Sequence, residues 1–307
     1  MTRQVTRFAE VDLVSVFAAG PAGGNPAPIV ADAARLSDAA MRAIAAAHGH
    51  ESAFVLPPPA GSDCDFALRF WVPNHEMEMC GHATVGAVWL LDRLGRLPRT
   101  NVTIATLSGD VEARVENAGT SEARVEISQP KGQVAALPDE ADAISELLSI
   151  LGIGRTDLAP LPVRNARTSR VKTLIPLKSA VLLDGLKPDF GRIEQFCEKI
   201  GSTGLYPFAV SDLPARTFDA RQFPKSSGYP EDAATGIAAA ALAFGLLEAG
   251  LIAADSRPIQ IRQGRAMGRP SQIAVRLRAG LDGAISGCWL GGAVRFDGRS
   301  EFPLTGG

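Results

Sequence analysis

From Ala83 to Leu91 the chain carries no charged residue, and the same is true from Thr235 to Leu247. A surface helix shows one apolar stripe; a helix that is apolar all round is buried. Both runs are opened by a polar, glycine-bearing junction, Cys80-Gly81-His82 in the first half and Asp232-Ala-Ala-Thr235-Gly236 in the second. The start of a buried helix leaves backbone N–H groups that something must satisfy. Where that partner is not protein, the helix dipole favours an anion. The pattern therefore predicts two buried helices, one per half, each presenting its N-terminus to a site.

Around them the polarity alternates as strands require. Residues 10–17, 53–58 and 66–72 read as strands, and residues 101–106, 110–116 and 122–128 as antiparallel hairpins broken at Gly109 and Gly119. Gly24-Asn25-Pro26 reads as a tight turn in a loop running through residues 18–30. Ser37 and Gly49 bracket a helix as N-cap and stop. Pro130 to Pro138 reads as a linker, followed by helices over 139–151 and 190–200. The runs RVKTLIP, AVLLD, YPFAVSD, ARTFDARQF, PIQIRQG, QIAVRLR and GGAVRFDG read as strands. Each half thus has several antiparallel strands around one buried helix. This argues for two similar α+β domains with the site in the crevice between them. Residues 1–129, completed by the C-terminal strand 290–307, form the first; residues 130–289 form the second.

Composition narrows the partners. A net charge of −2 gives no reason to expect nucleic acid or a membrane surface. The cluster Arg164, Arg167 and Arg170 reads as a solvated loop. Four cysteines without CxxC spacing suggest reduced thiols and a cytoplasmic protein. The N-terminal stretch 1–17 lacks the sustained apolar core of a signal peptide, and the second apolar run is too short to span a bilayer.

Three constellations carry chemistry, each beside a plainer reading. Glu51, next to His48 and His50, is a general base if it faces the crevice and otherwise an exposed loop carboxylate. The His-x-His pair favours a loop over a metal site. Cys80 at a helix start gains acidity and nucleophilicity, and Gly81 beside it lets a ligand approach the backbone. The plain alternative is an inert buried thiol partnered by His82. Asp232 or Thr235 caps the second helix, which does not exclude a role toward substrate. The basic loop over residues 264–271 lacks both phosphate-binding glycine patterns.

Taken together, GNPAPIV, HESAFV, RFWVPNHEMEMCGHATVGAVWLL, EDAATGIAAAAL, QGRAMGRPS and GGAVRF resemble, in order and over nearly the whole chain, the phenazine-biosynthesis PhzF-like isomerase family. The resemblance implies the diaminopimelate epimerase fold, two pseudo-symmetric α+β domains each wrapping antiparallel strands around a central helix. It implies cofactor-independent proton transfer between carbons of a small carboxylated substrate, with no metal. Glu51 matches the family's general acid/base, His82 its active-site histidine and Asp232 the acid of its Asp-x-x-Thr-Gly motif. Asn25, Cys80, Gly81, Thr235 and Gly236 fall where the substrate is held, and a homodimer is the family's common state. Ile237 departs from the serine of the phenazine enzymes, which counts against their dihydro-hydroxyanthranilate substrate. Cys80 stands where proline racemases keep their first thiol, but the second thiol has no equivalent in EDAATG. A Cys80-dependent epimerase or dehydratase is the alternative enzyme. A catalytically silent small-molecule binder on the same fold is the alternative outside catalysis.

Overall fold

A computed structural model describes residues 7–304. The ends of the expected first domain, 1–6 and 305–307, and the first residues of the N-terminal stretch weighed as a leader, lie outside the described residues. The chain divides into two compact units. One holds the described residues up to Ala18, Asn25–Ile127 and those from Gly292 on; the other holds Ala19–Gly24 and Ser128–Gly291. Among the described residues no helix is long and apolar enough to cross a membrane.

In the first unit β1 (Arg7–Val16) runs antiparallel to the chain's final strand, Val294–Leu304, and on its other side to β2 (Asn25–Val30). The sheet then continues through α1 (Asp38–His48), β3 (Ser52–Leu56), β4 (Phe66–Trp71) and the short β5 (Glu76–Met77). α2 (Gly81–Arg93) follows, then the meander β6 (Asn101–Thr106), β7 (Gly109–Glu116) and β8 (Arg124–Pro130). β2 pairs with β3 in parallel, as does β4 with β6; the other pairings are antiparallel. All eleven residues from Gly81 to Leu91 are buried, as the absence of charge requires. α2 packs on β1, β2 and β3. Gly86 is the point of closest approach, where a Cβ would lie 3.0 Å from methyls of Val14 and Val16 and 3.2 Å from Ile29. Burying each of its Val and Leu side chains contributes roughly 1.5–3 kcal/mol. α1 begins and ends as read: Ser37 accepts from Ala40 N, and Gly49 is left-handed at φ 67°.

The second unit contains β9 (Gln133–Ala135), α3 (Glu140–Leu151), β10 (Arg164–Arg167), β11 (Val171–Leu177), α4 (Ala180–Gly185) and α5 (Phe190–Lys199). Next come β12 (Gly204–Asp212), β13 (Thr217–Ala220), β14 (Phe223–Pro224), α6 (Gly236–Glu248), β15 (Ile259–Gln263), β16 (Ser271–Ala279) and β17 (Ile285–Gly292). The final strand is β18 (Val294–Leu304). β11 and β12 run parallel, as do β13 and β15. α6 packs on β9, β10, β11 and β16. A separate core joins α3 and α5 to the sheet through Leu147, Ile150, Ile193, Phe196, Leu205 and Phe223.

Five local expectations are corrected. Asn25-Pro26 opens a strand and not a turn, because β3 pairs only from Ile29 onward and the prolines at 26 and 28 precede that stretch. AVLLD is the helix α4, since Ser179 caps it by accepting from Leu182 N. Arg164 and Arg167 lie on β10, bonded to Glu140 and Gln133, and not in a solvated loop. The proline-bounded segment 130–138 is not a plain linker, for β9 within it pairs with β10. ARTFDARQF is broken into β13 and β14 where Arg221 turns inward. Beyond these five, residues 285–289 of β17 lie where the sequence pattern announces no strand.

Candidate active site

At the start of α2 the chain switches from extended backbone at Cys80 (φ −136°, ψ 107°) to helix at Gly81. Cys80 holds the N-cap position without a side-chain capping bond, and the first turn contains no acidic residue. Its carbonyl accepts from Thr84 N at 3.0 Å and from Thr84 Oγ1 at 2.8 Å, which fixes the turn. With its side chain released from capping, the thiol faces two partners. Sγ donates to Glu51 Oε2 at 3.6 Å and lies 3.3 Å from His82 Nδ1. His82 Nδ1 is 3.5 Å from the same carboxylate oxygen. The result is a closed triangle of thiol, imidazole and carboxylate.

Glu51 enters this triangle because it immediately precedes β3, on which α2 packs. The His82 side chain is 6% exposed and that of Glu51 19%, so the carboxylate alone keeps a substantial path to solvent. Asn25, half-buried, opens β2, and Glu51 stands just before the parallel neighbour β3. Glu51, Cys80, Gly81 and His82 thus come together, with Asn25 on the adjacent strand. His48 is committed elsewhere: Nδ1 bonds the Ile44 carbonyl at 2.9 Å and Nε2 meets Ser300 Oγ at 3.2 Å. The ligand atoms of Glu51, Cys80 and His82 all lie within 4.8 Å of one another, so these three could also face a cation.

Asp232, Thr235 and Gly236 form a second group at the start of α6. Thr235 is the N-cap, yet its hydroxyl caps no helix N–H and donates to Asp232 Oδ2 at 2.5 Å. Capping in the usual sense is therefore absent, and both side chains are engaged with each other.

The family model PhzC-PhzF, described as phenazine biosynthesis-like protein, matches residues 14–293. The chain belongs to the PhzC-PhzF family. A relative from Escherichia coli K12, named an uncharacterized isomerase (YddE), is 31% identical over 85% of this chain and 88% of its own length. The trans-2,3-dihydro-3-hydroxyanthranilate isomerase of Pseudomonas fluorescens is 30% identical, covering 84% of this chain and 87% of its own. A PhzF-family crystal structure from Bacillus anthracis superposes with a TM-score of 0.85 at 23% identity, covering 97% of this chain and all of its own. A probable proline racemase from Agrobacterium radiobacter matches with a TM-score of 0.64 at 14% identity, over 97% of this chain and 93% of its own. The fold is thus the mixed α+β fold shared by PhzF proteins and proline racemase-like epimerases, and the protein is an enzyme of the isomerase and epimerase class.

In this PhzC-PhzF member the sequence singled out Asp232, Thr235 and Gly236 but not the residues that anchor them from elsewhere in the chain. Gln263, 1% exposed, donates Nε2 to the Asp232 carbonyl at 2.7 Å and to Thr235 Oγ1 at 3.2 Å. Its Oε1 accepts from Tyr206 OH at 3.0 Å and from Thr235 N at 3.3 Å. Burial, with the charge of Asp232 adding to it, pushes the Tyr206 phenol far above its ordinary range, so it stays a neutral donor. Glu231 is structural: it receives a two-pronged bond from Arg221 at 2.9 and 2.7 Å, and Arg221 also donates to the carbonyls of Leu183 and Leu186. No local spacing announces Gln263, because β15 brings it from 28 residues beyond Thr235.

Proposed function

We propose that the protein is a cofactor-independent isomerase that moves a proton between carbons of a small carboxylate-bearing substrate, with Glu51 taking and returning the proton. The observation that carries this is the Glu51 carboxylate held against His82 Nδ1 and Cys80 Sγ at a buried helix start, with its own path to solvent. A general base needs its lone pair within reach of the reacting atom and a fixed direction. The imidazole and thiol supply that direction. A substrate carboxylate resting on the α2 amides near Gly81 would be stabilised by the dipole and by N–H donors already in place. As negative charge develops at carbon, His82 is positioned to orient the polar group beside it.

The roles of the second group rest on family membership. On that reading Asp232 holds the substrate's amino or hydroxyl group, and Thr235 and Gly236 complete the contact. Asn25 contributes from the start of β2. The homodimer and the cytoplasmic setting belong to the same reading as family expectations.

A second reading uses Cys80 itself as the proton carrier, favoured by its 3.3 Å approach to His82 Nδ1. Solvent exchange separates the two. With candidate carboxylates in D₂O, Glu51→Gln is expected to abolish deuterium incorporation at carbon while Cys80→Ser retains most of it. Unchanged incorporation in Glu51→Gln would reject Glu51 as the base.

A further inference from the structure

We propose that Glu51, Cys80 and His82 form a binding site for a soft divalent cation of the zinc class, and that the bound ion inhibits the enzyme. The ion's binding stands on geometry alone; the inhibition rests on the role of Glu51 argued above. Tetrahedral zinc has bonds of about 2.3 Å to sulfur, about 2.0–2.1 Å to imidazole nitrogen and about 2.0–2.2 Å to carboxylate oxygen. At the tetrahedral angle those lengths set sulfur about 3.6 Å from the nitrogen and the oxygen, and nitrogen about 3.4 Å from oxygen. The observed edges are 3.3 Å for Sγ to Nδ1, 3.6 Å for Sγ to Oε2 and 3.5 Å for Nδ1 to Oε2. The triangle therefore already has nearly the size of one face of a zinc tetrahedron; Sγ is also 4.0 Å from Nε2, so it lies toward the face of the ring, and the imidazole must turn to aim Nδ1 at the ion.

The donor chemistry also fits. A thiolate, an imidazole and a carboxylate form a mixed set that suits zinc over magnesium or calcium, which prefer oxygen alone. The ion replaces the Cys80 thiol proton: the S–H bond breaks, a sulfur–metal bond forms and the proton leaves to solvent. Thiolate and carboxylate bring two negative charges, which offset the repulsion of a cation by the helix dipole. The exposed side of Glu51 gives an entry path and leaves the fourth vertex to water or a substrate carboxylate. Coordination occupies the lone pairs that proton transfer needs.

The test is titration of the metal-free protein with Co²⁺ alone, which reports thiolate ligation by a near-ultraviolet charge-transfer band and tetrahedral geometry by intense visible bands. One equivalent is expected to develop both, and one equivalent of Zn²⁺ to bleach them. Cys80→Ser should lose the charge-transfer band, and His82→Asn should weaken Co²⁺ binding at least about tenfold. No charge-transfer band in the wild type, or one that persists in Cys80→Ser, overturns the site. The other thiols are poor competitors, because burial pushes Cys197 up to about 11 and Cys288 up to about 12, and burial with the neighbouring Asp110 raises Cys64. If the bands form yet solvent exchange continues at the metal-free rate, the site stands and the assignment of the base to Glu51 fails.

Discussion

The starts of α2 and α6 are built from opposite materials. At α2 the groups that meet are a carboxylate, a thiol and an imidazole, all able to gain or lose a proton, with separations of 3.3–3.6 Å. At α6 the groups around Thr235 are mostly neutral and are tied down by bonds to Gln263 and Asp232. The approach to α6 is fixed further by the buried Arg221–Glu231 pair. One helix start gathers groups that can exchange protons, and the other is tied into a fixed hydrogen-bond network. The same backbone device, a glycine-led buried helix, serves both.

The largest effect expected from breaking this contrast is on stability, at the α6 side. Arg221→Leu strands the Glu231 carboxylate, whose side chain is 9% exposed, and frees the carbonyls of Leu183 and Leu186. Removing one partner of a buried pair costs about 3–5 kcal/mol. Denaturant unfolding should show that loss for Arg221→Leu, whereas Cys80→Ser, which gives up only weak S–H contacts, should cost less than about 1.5 kcal/mol. Equal losses would mean the two starts are anchored alike.

What the sequence made legible follows this division. The two central helices were readable because a charge-free run has only one stable environment. Glu51 and Cys80 were readable as candidates from their residues, but only the family resemblance put them in one site, since nothing in the spacing brings position 51 to position 80. The α6 anchor was hidden for a related reason: Tyr206 on β12, Gln263 on β15 and Arg221 just after β13 are ordinary residues far apart in sequence, and only the fold gathers them. Short apolar runs failed for a different cause. AVLLD fits strand or helix equally by periodicity, and Ser179 decides it. In β17 the glycines at 287, 291 and 292 dilute the alternation that marks other strands.

A smaller effect tests the neutral network itself. Gln263→Leu keeps the volume but leaves Tyr206 OH, Thr235 N and the Asp232 carbonyl without the bonds described above. Each buried polar group left unsatisfied costs roughly 1–3 kcal/mol, and relaxation makes the sum less than additive. A net loss of about 2–4 kcal/mol is expected in denaturant unfolding. If Asp232 binds substrate, KM should rise more than kcat falls. Unchanged stability would show that Gln263 is not what holds the α6 start.

The smallest stability effect is expected at Gly81, and it is the most telling. A Cβ there would meet only Ile127 Cδ1 at 3.9 Å, an ordinary contact, so packing does not demand a glycine. In a helix alanine is favoured over glycine by about 1 kcal/mol, so Gly81→Ala should leave the thermal midpoint level or slightly raised. On the function proposed above, the added methyl would nevertheless crowd a carboxylate approaching the first N–H groups of α2. Displacing a bound substrate by about 1 Å costs on the order of a hundredfold in rate. Solvent exchange at carbon should fall by that order in Gly81→Ala while its melting curve matches the wild type. Full activity in a variant that melts normally would mean that the substrate does not rest on this helix start, and the contrast between the two helices would then reduce to a difference in packing.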